Sequence, residues 1–205
     1  MNTDLLWALL LSWGAGIDLY LTVLLAGIVG RMQWMSLPPE LDFLSSDISL
    51  LIAALLFLIE FVADKIPYVD SFWDAIHTFI RIPAGILLAL GAASGMSRQS
   101  LFLVGLTAGL IAFGTHGAKA SVRLALNGTP EPFTNWFVSI AEDVLITFAY
   151  WLFLHHPVIL LTLLLFTAAF AWLVIYLLIR IFKRLFRFQR PAELRALNWS
   201  VNPKK

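Results

Sequence analysis

Long apolar runs separated by short polar stretches dominate the 205-residue chain. A membrane-crossing helix needs about 20 mainly apolar residues, and lipid tolerates no irregular backbone with unsatisfied polar groups. Runs of this kind fall near residues 5–29, 47–63, 80–97, 100–117, 136–154 and 157–180. They predict an all-α, polytopic membrane bundle of about six segments. The last run, PVILLTLLLFTAAFAWLVIYLLI, is uncharged and is followed directly by RIFKRLFRFQR. The third and fourth have short, glycine-rich cores, IPAGILLALGAASGM and LFLVGLTAGLIAFGT, and are expected to be tilted, broken or re-entrant. Interrupted spans are where transporter folds place their binding sites.

Three of the apolar stretches carry charge: Asp18 in the first, Glu60 followed by Asp64 and Lys65 in the second, and Glu142 with Asp143 in the fifth. An ionised group at the centre of a lipid-facing helix costs roughly 2.5 to 3.5 kcal/mol, so such residues face a protein interior or a wet cavity. The pattern therefore predicts a polar interior within the membrane. Composition agrees, since 60% hydrophobic and 13% charged residues lie outside the range of a soluble domain of this length. With no cysteine, thiol chemistry, disulfides and thiolate metal sites are excluded.

The formal net charge of +1 hides an asymmetry: eight of the fourteen basic residues lie from Arg180 onward. Residues 1–187 read as the integral membrane domain and 188–205 as a basic cytoplasmic tail, an amphipathic stretch suited to anionic lipid rather than nucleic acid. If all six segments cross, both termini share one side, and the basic-residue bias places them in the cytoplasm of a bacterial inner-membrane protein. PPELDFLSSD, SGMSRQS and LHHP then face outward. MNTDLLWALLLSWGAG carries Asp4 in place of a basic leader region and reads as a retained span.

The first polar block, EFVADKIPYVDSFWDAIHTFIRIP, has helical spacing on either side of Pro67. Glu60 and Asp64 are four apart; Asp70, Asp74, His77 or Thr78, and Arg81 recur at three or four, so each set shares a helix face. One reading is a charged cradle at a cavity mouth, with carboxylates for protons or cations and Arg81 for an anion. The competing reading is a solvated amphipathic connecting helix over the bundle end. In the second block, GTHGAKASVRLALNGTPEPFTNWFVSIAEDV, His116, Lys119 and Arg123 share a face, and Asn135 and Glu142 stand two turns apart on the next helix. Pairing the basic face with the acidic one either locks the bundle or leaves Lys119 and Arg123 to hold a phosphate or carboxylate.

Together, E-x3-DK-x-P-x2-D, D-x2-H-x3-R-x-P-x-G, HGAKA-x2-R and PEPF-x-N-W-x2-S-x2-ED resemble the bacterial membrane family catalogued as domain of unknown function number 4126, over roughly Leu5 to Arg187. The resemblance implies a multipass architecture and no activity. It carries over Glu60, Asp64, Lys65, Pro67, Asp70, Asp74, His77, Arg81, Pro83, Gly85, His116, Lys119, Arg123, Asn135, Glu142 and Asp143 as family positions. Asp18 departs from it, standing where the family leads one to expect a basic residue.

WGAGIDLYLTVLLAG and THGAKASVRLALNG share a G-A start and a leucine-rich middle, which is compatible with an inverted three-plus-three repeat. No nucleophile elbow, zinc-protease, phosphate-loop or dinucleotide motif is present, and the chain reads as a non-enzyme without a cofactor or metal. The expected function is a small transporter or lipid-headgroup translocator for an anionic substrate. In it Arg81, His116, Lys119, Arg123 and Asn135 bind substrate. Glu60, Asp64, Lys65, Asp70, Asp74, His77, Glu142 and Asp143 couple protons or form charge pairs. A membrane scaffold with structural charge pairs is the alternative; a metal-dependent intramembrane hydrolase built on Asp70, Asp74 and His77 trails both. Expected partners are membrane lipids, an anionic small molecule or lipid phosphate, and a second copy of the chain; the GxxxG patterns at Gly91/Gly95 and Gly105/Gly109 permit close helix packing within or between chains.

Overall fold

In the structure, a computed structural model, residues 2–66, 68–126 and 132–188 are described. They form α1 (Thr3–Ile17), α2 (Leu19–Arg31), a 3₁₀ turn (Pro39–Ser45), α3 (Asp47–Ala63), α4 (Val69–Ala92), α5 (Arg98–Leu126), α6 (Pro132–His155) and α7 (Pro157–Phe188). Four helices, α4 to α7, are long and apolar enough to cross a membrane, and α3 makes a fifth when joined to the 3₁₀ turn, from which it bends by 68°. The all-helical membrane bundle expected from the apolar runs is present.

The first apolar run is not a single crossing. Asp18 adopts extended backbone (φ −142°, ψ 106°) and ends α1. Its Oδ1 then accepts from the Leu21 N–H at 2.8 Å, which caps α2. Gly14 leaves room for the Thr22 side chain, and Gly16 lies against the Ala112 carbonyl, where a Cβ would stand 2.6 Å from the oxygen. The contacts give the chain direction. Arg81 reaches the Ile17 carbonyl while Gly85 packs on Ala15 and Ser12, so α1 runs antiparallel to α4. Tyr20 bonds His77, and beyond α2 the 3₁₀ turn reaches Gly91 and Ser94 through Leu41 and Glu40, so α2 runs parallel to α4. Trp7, near the start of α1, donates to the carbonyl of Ser36 beyond the end of α2. Thus α1 and α2 form a hairpin that enters and leaves at the same end of the bundle, with its tip among the other helices.

This corrects two expectations and adds a third observation. The interrupted segment is the first, whereas the third and fourth are continuous helices of 24 and 29 residues. The third begins at Val69 rather than near residue 80, and its polar face is buried: Asp70, Asp74, His77 and Arg81 are all 5% exposed or less, which rules out a solvated connecting helix. Lastly, α1 starts at the opposite end of the bundle from where α7 finishes. Leu5 lies with Leu103 near the start of α5, while Trp172 and Ile175 of α7 pack on Gly114 and Gly117 toward its end.

The hairpin is also the centre of the core. Trp7, Leu10, Leu11, Trp13 and Ala15 are fully buried, packed by α4, α5 and the second half of α6. Gly105 and Gly109 accommodate Leu90 and Ile86, so this small-residue stripe seats α4 on α5 within the chain. Gly14–Gly27, broken at Asp18, and its suspected repeat from Thr115, continuous to Leu126, differ in local structure. Pro67, residues 127–131 and the tail from residue 189 lie outside the described residues.

The hairpin has a direct test. The chain has no native cysteine, so single cysteines at Thr3 and Arg184, both exposed, can be labelled cleanly. In oriented vesicles a membrane-impermeant maleimide is expected to reach them from opposite sides. Labelling of both from one side would restore six crossings.

Candidate functional site

Helical spacing collects polar side chains into stripes, and the bundle brings the stripes together at the hairpin tip. α3 and the residue that ends it supply Glu60 and Asp64, α4 supplies Asp70, Asp74 and Arg81, α5 supplies His116, Lys119 and Arg123, and α6 supplies Asn135, Ser139 and Glu142. Because α1 stops at Ile17, the carbonyl of that residue has no helical partner ahead of it. Arg81 Nη1 donates to it at 3.1 Å and Lys119 Nζ at 3.0 Å. A helix C-terminus carries partial negative charge, so a broken helix end aimed at two cations is stabilising.

Arg81 is fully buried and binds Glu60 Oε1 through Nη2 and Asp74 Oδ1 through Nη1 at 3.2 Å. Lys119 sits among four carboxylates: Asp64 at 2.9 Å, Glu60 and Glu142 each at 3.5 Å, and Asp74 at 4.0 Å. Arg123 donates to Glu142 Oε2 at 2.6 Å, to Asp64 Oδ2 at 3.1 Å and to the Asp64 carbonyl at 2.7 Å, with Asp70 Oδ2 at 3.9 Å. The eight charged groups form one connected network. Glu142 is its most exposed member, with 16% of its side chain accessible.

Five carboxylates therefore face three cations, an excess of two negative charges in a site closed to water. A buried net charge is strongly unfavourable unless paired or neutralised by protons. Glu60 Oε2, Asp64 Oδ1, Asp74 Oδ2 and Asp143 Oδ2 are buried without a hydrogen-bond partner among the described residues, so the donors of the site do not saturate its carboxylates.

The two histidines are held by hydrogen bonds at the edge of the network. His116 Nε2 stands 2.7 Å from the Thr78 hydroxyl, whose proton is given to the Asp74 carbonyl at 2.9 Å. Nε2–H therefore donates to Thr78, and Nδ1 accepts from Arg81 at 3.4 Å. This neutral tautomer orients Arg81 and has no free ring nitrogen for a ligand. Among the described residues His77 joins no ion pair: Nδ1–H donates to the Trp73 carbonyl at 2.8 Å, Nε2 accepts from the Tyr20 hydroxyl at 3.0 Å, and the ring stacks on Trp73. Asn135 donates to Asp70 Oδ2 at 3.3 Å. Lys65 and Asp143 belong to no ion pair within 4.0 Å among the described residues. Lys65 Nζ instead donates to the Phe61 carbonyl at 3.0 Å and the Ser139 hydroxyl at 3.3 Å, and lies over the Phe61 ring. Asp18 acts as a helix cap at the tip.

Sequence reasoning missed Tyr20 and the Ile17 carbonyl, and it gave no role to Trp136 and Ser139, which stand in the quoted motif; none of the four carries a charge. Thr78 was visible only as an alternative to His77. Among the described residues no three His, Asp or Glu side chains meet as a metal site, so the D-x3-D-x2-H spacing does not assemble one.

No curated protein and no solved structure matches the chain. The family model described as "Domain of unknown function (DUF4126)" matches residues 5–177, a range that includes the hairpin and all eight charged members of the network. The chain therefore belongs to the DUF4126 family.

Proposed function

We propose that the protein is a small proton-coupled transporter or translocator for an anionic group, a phosphate or carboxylate, free or on a lipid. The observation that supports this most is the buried network at the broken-helix tip, in which each cation is held by carboxylates that outnumber the cations. Ordinary structural pairing needs no such excess. Protonating the carboxylates removes their hold on Arg81, Lys119 and Arg123, which then have donors free for an anion. Anion binding is thus accompanied by proton uptake and strengthens as pH falls. Discontinuous helices lining a midplane site are a recurrent transporter device.

The chain is proposed to lie in a bacterial inner membrane with the basic tail in the cytoplasm. Eight basic residues lie from Arg180 onward, against Arg31 and Arg98 at the other end of the bundle. The hairpin then puts the Thr3 end on the outer side, in place of the cytoplasmic position expected for six crossings. A membrane scaffold is the second reading, favoured by the fact that Arg81, Lys119 and Arg123 all have carboxylate partners.

Flux separates the two. Proteoliposomes carrying wild type or Arg123→Gln are loaded under an imposed proton gradient, and uptake of labelled inorganic phosphate and flipping of fluorescent phosphatidic acid are followed. Wild type is expected to move at least one of them, faster down the proton gradient, and Arg123→Gln neither. Wild-type vesicles indistinguishable from protein-free ones for both probes would leave the scaffold.

A further inference from the structure

The first half of α6 is held to the bundle by polar links in place of apolar packing. From Phe133 to Val144 the buried side chains are Asn135 and Ser139; the apolar core contribution of α6 starts with the partly buried Leu145 and the buried Ile146. Four of its polar links are Asn135 to Asp70, Arg123 to Glu142, Lys65 to Ser139, and the Trp136 indole N–H to the Lys65 carbonyl at 3.1 Å. Two of the four run through Lys65, which makes the boundary between the end of α3 and the start of α6 a polar seam. On either side of it exposed apolar residues face lipid, Val62 and Ile66 on one flank and Phe137 and Ile140 on the other.

Lys65 is the cation at this seam that no carboxylate holds within 4.0 Å among the described residues. Beside it stands the Ser139 hydroxyl, on a side chain 1% exposed, and behind it lie Asp64 and Arg123 of the network. Trp136 is half exposed and bonds the backbone at the same level, as expected of an indole at the headgroup boundary. We propose that Lys65 and Ser139 form an entry site for the phosphate headgroup of an anionic membrane lipid, which reaches the buried network sideways between α3 and α6. This rests on the transport reading above and gives its substrate a class: a lipid phosphate whose tails stay along the apolar flanks. A free phosphate would have to shed its water between hydrocarbon-facing walls with a single ammonium to meet it, whereas a lipid already carries its phosphate at this depth.

The full-length protein in mild detergent is titrated with short-chain phosphatidic acid, short-chain phosphatidylcholine and inorganic phosphate, and thermal stabilisation is read. Wild type is expected to respond to phosphatidic acid and not to the other two. Lys65→Gln is expected to weaken that response roughly tenfold or more, as loss of a charge-assisted phosphate contact does, while Lys65→Arg keeps it. Lys65 forms no ion pair within 4.0 Å among the described residues, so Lys65→Gln should fold; Ser139→Ala, with an expected weaker loss, is the second probe of the same site. Equal binding by wild type and Lys65→Gln, or an equal response to inorganic phosphate, overturns the lipid entry and leaves the transport reading standing. Absence of flux together with Lys65-dependent phosphatidic acid binding removes transport and leaves the lipid site.

Discussion

Replacing Arg81 with glutamine is expected to leave almost no folded protein in the membrane. Its guanidinium is fully buried and joins four elements: Glu60 on α3, Asp74 on its own helix, the Ile17 carbonyl at the hairpin tip and His116 on α5. Removing it raises the excess of negative charge from two to three and strips the hairpin tip of one of its two cationic partners. Breaking a buried pair by deleting one member costs about 3 to 5 kcal/mol, a large share of a total stability near 5 to 15 kcal/mol. Arg81→Lys is expected to restore little, because one ammonium on a flexible stem cannot reproduce the fork that meets two carboxylates and a carbonyl. The double variant Arg81→Gln with Glu60→Gln, which removes both partners of the pair, should recover part of the loss. Folded yield after extraction and the unfolding midpoint decide the matter. An Arg81→Gln protein as abundant and stable as wild type would mean that the network does not hold the bundle together.

Spacing alone revealed which charged residues share a helix face. Glu60 with Asp64, Asp74 with Arg81, and Lys119 with Arg123 lie at steps of four and seven, and the expected meeting of the α5 cations with Glu142 is present as the Arg123 bond at 2.6 Å. What spacing cannot distinguish is a wet face from a face closed by another element, since both place the same charges on the same stripe. This is why Asp70 to Arg81 could be read as a solvated helix. The hairpin was illegible for a related reason: LLWALLLSWGAGIDLYLTVLLAG is equally apolar whether it crosses or turns back. Its one local sign is Asp18 after G-A-G. Asp18 announces itself as a membrane charge, yet here it caps a helix, while the two glycines permit the close approaches to Thr22 and Ala112.

Glu142→Gln is expected to do the opposite of Arg81→Gln: keep the fold and change the chemistry. Glu142 is the network member nearest the outside, and its Oε2 receives Arg123 at 2.6 Å and Lys119 at 3.5 Å. A glutamine oxygen in the same place still accepts from Arg123, so stability should change by no more than about 1 kcal/mol. The excess negative charge falls from two to one, and no buried cation loses all its partners, because Asp64 still holds Arg123 at 3.1 Å and Lys119 at 2.9 Å. The neutral amide imitates the protonated carboxyl. If proton uptake at this position frees Arg123 for an anion, the variant is fixed in the anion-receptive state. Its affinity for phosphatidic acid or phosphate should then rise, roughly tenfold for one charged contact released. Wild-type binding should weaken as pH rises, because anion binding is coupled to proton uptake, and the variant's binding should change less. Flux should fall, because a site that cannot release its proton cannot reset. Thermal stabilisation measured against ligand and pH, alongside proteoliposome flux, reads all three quantities on one preparation. Unchanged pH dependence in a folded Glu142→Gln protein would remove Glu142 from proton coupling, and collapse of the variant without ligand would assign it to holding the bundle together.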